Sequence, residues 1–146
     1  MSKSDTFEND LLLLLFNNTD IANIGDAGGV LGAVTPGSLY VSLHTADPGE
    51  TGTAVTSETA YTNYARQAVA RSGSGFVVTG NSVSPAANVD FPECGATPGA
   101  AITHFGIVNT ASGAGKLLYS GTVTPNITMA EGVIPRVKST STVTED

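Results

Sequence analysis

Tryptophan is absent, cysteine occurs once, and lysine and arginine together number six in 146 residues. Each shortage closes off a class of protein. A lone Cys94 has no partner within its own chain, so no disulfide framework holds the fold, and it reads as a reduced thiol of a protein made in the cytosol. Six basic residues against thirteen acids give a formal net charge of -7, which leaves no basic stripe for nucleic acid or for an anionic membrane surface. No apolar run approaches the ~20 residues that cross a bilayer. The start, "MSKSDTFEND", has one basic residue and places its acids ahead of the apolar block, unlike a signal peptide. Stacking groups for sugars are scarce, with four Tyr and five Phe. Charged residues are 13% of the chain, about half the usual share, which suits a β-rich fold with many turns or a surface covered by neighbouring subunits.

What is present is enough for a core. The chain is 40% apolar and long enough to form one domain. Its most apolar stretch is "NDLLLLLFNN", with Leu11, Leu12, Leu13, Leu14, Leu15 and Phe16 in succession. At about 100° per residue such a run sweeps the whole circumference of a helix, so something must cover every side of it. Asp5 and Glu8 have the spacing of a capping box with Asp in place of Ser or Thr, and leucine is a strong helix former. The expectation is a helix from Asp5 to Phe16, extendable to Ile24 and ended by "GDAGG". Two covers are open: the chain's own "GDAGGVLGAV" segment, or another subunit. Leu11 to Phe16 are therefore the candidate interaction residues.

Beyond Gly37 the apolar period changes to two. "LYVSLH" sets Leu39, Val41 and Leu43 against Tyr40, Ser42 and His44, a half-buried strand. "YARQAVARS" reads as a strand, and "GFVVTG" follows after Gly73 to Gly75, a hairpin signal. "ANVDF", "AITHFGIV" and "KLLYSGTV" add three strands, and the tail "GVIPRVKSTSTVTED" has room for one or two more, Pro135 suiting a strand start. With no helices between strands, the expected fold is mainly β: a β-sandwich or jelly roll of six to eight short strands with one N-terminal helix. The division expected is an N-terminal helical segment, 1–24, and a β-sandwich domain, 25–146.

Chemistry is hard to find. His44 and His104 stand in alternating strands without metal-ligand spacing, so both read as hydrogen-bonded structural histidines. "ASGAGKL" fails the phosphate-loop pattern at both ends, where Thr110 and Leu117 stand, and reads as a glycine-rich hairpin. "SGSGF" lacks the third glycine of a dinucleotide fingerprint. No nucleophile elbow occurs. Asp47, Glu50, Glu58, Asp90 and Glu93 lack a calcium-loop spacing, and Arg66 and Arg71 are candidate partners for these acids. No catalytic residue, metal site or cofactor is indicated, and no enzyme is expected. In "LHTADPG", Asp47-Pro48-Gly49 has turn chemistry: Asp accepts from backbone two residues on and Gly tolerates positive φ.

"SLYVSLHTADPGETGT", then "YTNYARQAVARS", "ITHFGI" and "SGAGKLLYSGTV", resembles a family of small tailed-bacteriophage virion proteins, over Leu39 to Val123, and the "STVTED" ending is similar too. The resemblance implies a virion structural protein, either a capsid decoration (cement) protein that stabilises the head lattice or a tail-fibre-associated protein. It carries no catalytic residues. The expectation is a decoration protein on the capsid exterior, made in the host cytoplasm. Its partners would be the major capsid protein and copies of itself, with no nucleic acid and no membrane. A host-surface binding module is the next alternative, and a cell-wall hydrolase ranks last.

Overall fold

The computed structural model describes residues 2–145. The chain is mainly β with one helix at its start, as the sequence pattern predicts. Helix α1 spans Asp5–Asn17, and among the described residues nine strands follow: β1 (Ser38–His44), β2 (Gln67–Ala70), β3 (Phe76–Thr79), β4 (Ser82–Pro85), β5 (Val89–Asp90), β6 (Ile102–Val108), β7 (Leu117–Ile127), β8 (Arg136–Val137) and β9 (Val143–Thr144). They form a four-stranded sheet in the order β2-β1-β6-β7, a three-stranded sheet β3-β4-β9 and a two-stranded sheet β5-β8. The chain divides into two compact units: Met1–Ser38 with Val69–Ala87 and Lys138–Asp146, and Leu39–Ala68 with Asn88–Val137.

In the first unit α1 packs on β3 and β4. Its cap is Ser4, one residue before the expected Asp5: the Ser4 hydroxyl accepts from the Phe7 N–H at 3.4 Å. Ser4 has the extended backbone of a cap, φ -83° and ψ 149°, and its short side chain reaches the third amide of the helix. The helix ends at Asn17, well short of Ile24 and of "GDAGG". Asn18 takes the left-handed conformation that asparagine tolerates, with φ 58°, and its side chain bonds Ala33 through both its oxygen and its nitrogen. Glu8, Leu12 and Phe16 are buried at four-residue intervals, and Phe16 meets Phe76 edge-to-face at 4.9 Å. Leu11, Leu13, Leu14 and Leu15 are half-buried. The "GDAGGVLGAV" segment forms a knit loop, closed by the Ile21–Val30 bridge and by Asp20 accepting from Gly32 N. Ile24, Val30, Leu31 and Val34 on it are exposed.

The hairpin signal at Gly73–Gly75 does not join β2 to β3, because β2 lies in the other sheet beside β1. The two-residue hairpin is β3–β4, turning at Gly80-Asn81 between paired Thr79 and Ser82. Gly80 supplies φ +59° at the first central position, where a two-residue hairpin turn favours glycine. The sequence pattern does not announce β4, and β2 is shorter than "YARQAVARS".

In the second unit β1 and β6 pair antiparallel, Ser42 opposite Gly106 and His44 opposite His104. β1 is more buried than a half-buried strand. Its apolar Leu39, Val41 and Leu43 are covered, and so are Ser42 and His44 on the other face. β6 and β7 are joined by the "ASGAGKL" stretch, a glycine-rich hairpin as expected.

Candidate functional site

The polar groups with chemical potential gather in the second unit around the end of β1. Ser42 Oγ lies 2.8 Å from His44 Nε2, and His44 Nδ1 lies 2.8 Å from the Thr56 carbonyl. A carbonyl only accepts, so Nδ1 carries the proton and Nε2 accepts from the serine hydroxyl. Burial holds the His44 pKa below its ordinary value, outweighing the raising effect of the Thr56 carbonyl. The pair has the atoms of a serine–histidine dyad, but Ser42 and His44 are both 0% exposed, and a nucleophile must meet its substrate. Their geometry ties β1 to the loop that carries Thr56.

Next to it, Arg66 is clasped on several sides. Its Nε and one terminal nitrogen donate to the two Glu58 oxygens at 2.7 and 2.8 Å. The other terminal nitrogen reaches the Thr110 carbonyl and hydroxyl at 3.0 Å, and further bonds go to the Ala54 and Gly113 carbonyls. Tyr64 donates to the same Glu58 oxygen at 2.9 Å and accepts from Leu43 N. The Glu58 carboxylate raises the Arg66 pKa, while burial raises that of Tyr64. A buried arginine with every donor satisfied is a tie between loops, here the 54–58 loop and the β6–β7 hairpin. A lone sequence reading puts Arg66 on a strand face; its partners at 54, 58, 110 and 113 become neighbours only in the fold.

The remaining candidates disperse. Asp47 Oδ1 accepts from Gly49 N at 2.9 Å and Gly49 has φ +68°, the turn that "ADPG" predicts. Asp90 pairs with Arg136, which holds its carboxyl below the usual range. Arg71 is spent on backbone carbonyls: it donates to Leu14 and Leu15 at 2.8 and 2.7 Å and to Pro36. His104 bonds the neighbouring Thr103 hydroxyl. Tyr61 donates to the Pro92 carbonyl, and burial, with Cys94 nearby, pushes its pKa up to about 12. Cys94 is buried, and burial raises its thiol pKa. Among the described residues no group of three His, Cys, Asp or Glu side chains is placed to hold a metal. No helix among them is long and apolar enough to cross a membrane.

The fold and these clusters define a small mainly β protein whose buried polar groups fasten loops to strands. Its sequence matches, over residues 2–145, the family described as Podophage GP4 fiber I protein gp80, and the chain belongs to that family. It is thus a phage structural protein of a fibre family. No curated protein matches it.

Proposed function

We propose that the chain is a non-enzymatic structural subunit of a podophage fibre assembly, held by protein–protein contacts with copies of itself and with neighbouring virion proteins. The family match across nearly the whole chain carries this reading. Two features support it. The Ser42–His44 and Arg66–Glu58 groups are closed off and spent on internal bonds. Leu11, Leu13, Leu14 and Leu15 keep part of their surface exposed and open to a neighbour, whereas Leu12 and Phe16 are fully buried.

Capsid decoration is the second placement. It is favoured by the absence of heptads and collagen-like repeats, which a long fibre stalk would use, and by a single helix of 13 residues among the described ones. Immunogold labelling and quantified bands from purified virions decide between them. Label confined to the tail, in copy number fitting one vertex, supports the fibre reading. Label over the whole head, in numbers comparable with the major capsid protein, replaces it with decoration, and absence from the particle removes both.

A further inference from the structure

The segment that follows β8 changes unit. Val137 belongs to the second compact unit and Lys138 to the first, where β9 adds to the edge of β4 with Val143 opposite Val83 and Thr144 opposite Ser82. The chain turns on the way, Ser141 N–H donating to the Lys138 carbonyl at 2.9 Å. No residue from 138 to 145 is buried, so the segment adds little to the core, yet its bonds are specific. Glu145 N–H donates to the Asn81 carbonyl at 2.8 Å, and Asn81 Nδ2 donates to the Glu145 carbonyl at 3.0 Å. The Ser82 and Thr144 hydroxyl oxygens lie 3.2 Å apart, and the Glu145 carboxylate meets Lys3 Nζ at 3.2 Å. The receiving side is fixed from elsewhere: α1 packs on β3 and β4, and Asn9 donates to the Gly80 carbonyl at 2.8 Å, in the turn that presents Asn81.

We propose that segment 138–145 is an exchangeable arm: in the assembly, β9 of one copy docks on the β4 edge of a second copy, in the register it takes on its own chain. Complementarity names the occupant. The edge accepts a strand that brings a valine opposite Val83, a hydroxyl to Ser82, a backbone pair to Asn81 and an acid to Lys3, and every copy carries that strand. In a chain of net charge -7, Lys3 is the sole basic residue before Arg66, so this edge attracts an acid of a second copy where most of the surface repels it. Exchange repeats bonds that already exist and needs no new complementary surface. The detached arm, with Val143 as its one apolar residue, stays soluble, and its Thr and Val residues favour an extended chain. Within one chain the arm competes at an effective concentration on the order of 1 mM. Exchange is therefore slight in dilute solution and grows at the packing density of a particle. The inference rests on the reading that copies associate, and it names the strand through which they do so.

The test mixes two full-length variants, Ser82→Cys and Thr144→Cys, with a short bis-maleimide crosslinker, and maps the links by peptide mass spectrometry. Cys94 is buried in both. A mixture of Ser82→Cys with Thr140→Cys, whose residue lies outside the β4–β9 pairing, sets the background. The expected result is an 82–144 link between different chains, above that background and rising at least about tenfold in yield from about 10 μM to about 1 mM. The double variant Ser82→Cys, Thr144→Cys should link within one chain when dilute, and its failure to do so would contradict the β4–β9 register and the proposal with it. Mixed links no more frequent than background, in a parent protein that associates by sedimentation, would overturn the exchange and leave self-association standing. A parent protein that stays monomeric at the higher concentration, with no mixed link, would remove both.

Discussion

A Cβ on Gly106 would lie 2.7 Å from Ser42 Oγ, 2.8 Å from His44 Nε2 and 2.8 Å from Leu117 Cδ1. Gly106 stands opposite Ser42 in the β1–β6 ladder, so the two share a face, and the missing side chain is the space that the serine–histidine pair occupies. Gly106→Ala should cost about 1–3 kcal/mol through overpacking, read by chemical denaturation. A loss under about 0.5 kcal/mol would mean that the strands separate freely there. His44 itself should titrate below the ordinary histidine value. Burial favours the neutral ring and lowers its pKa from 6.5, so the unfolded chain takes up a proton that the folded one refuses. This contribution to stability is complete above pH 6.5 and falls as the pH drops below it, by at most about 1.4 kcal/mol per pH unit. The His44 ring resonances should titrate with a midpoint below 6.5, and a midpoint at 6.5 or above would contradict the assignment.

At the scale of elements, what was legible in the sequence was what depends on near neighbours. The turn after β1 is local: Asp47 and Gly49 are two residues apart, and their types alone specify the Asx bond and the positive φ found there. Gly49→Val should destabilise by about 1–2 kcal/mol from backbone strain, because nothing lies within 4 Å of an added Cβ. Asp47→Ala should cost less, about 1 kcal/mol. The reverse order would mean that the loop takes another conformation. Non-local choices were not legible. Two glycine-containing turns, at Gly73–Gly75 and at Gly80, flank β3, and only its packing with α1 and β4 shows which one makes the hairpin. Arg71 likewise reads as a partner for acids, yet its guanidinium closes the C-terminal end of α1, where the free carbonyls and the dipole favour a cation. Its fork spans Leu14 and Leu15 at once, which an ammonium cannot reproduce. Arg71→Lys should therefore lose about 1–2 kcal/mol, measured by thermal melting, and full retention would show that charge alone is enough.

For the molecule as a whole, the question raised by the leucine run separates into two kinds of apolar surface. Leu12 and Phe16 are at 0% exposure, so removing residues 1–24 would take out core, and a failure of the truncated chain to enter particles would report unfolding as readily as a lost contact. Leu31 and Val34 are the opposite case. They are 65% and 104% exposed, on a loop fixed by the Asn18–Ala33 and Asp20–Gly32 bonds. A fixed loop that holds apolar side chains in water gains nothing from them in the isolated chain. Two variants therefore separate folding from assembly. Leu12→Ala should lose about 2–5 kcal/mol by leaving a cavity. The double variant Leu31→Ser, Val34→Ser should stay within about 0.5 kcal/mol of the parent, because surface substitution removes no packing. Under the structural role proposed here, the double variant should nonetheless enter virions poorly when it competes with the parent protein. Normal incorporation would place the assembly contact on another surface, and a large loss of stability would show that the loop is packed more tightly than its exposure indicates.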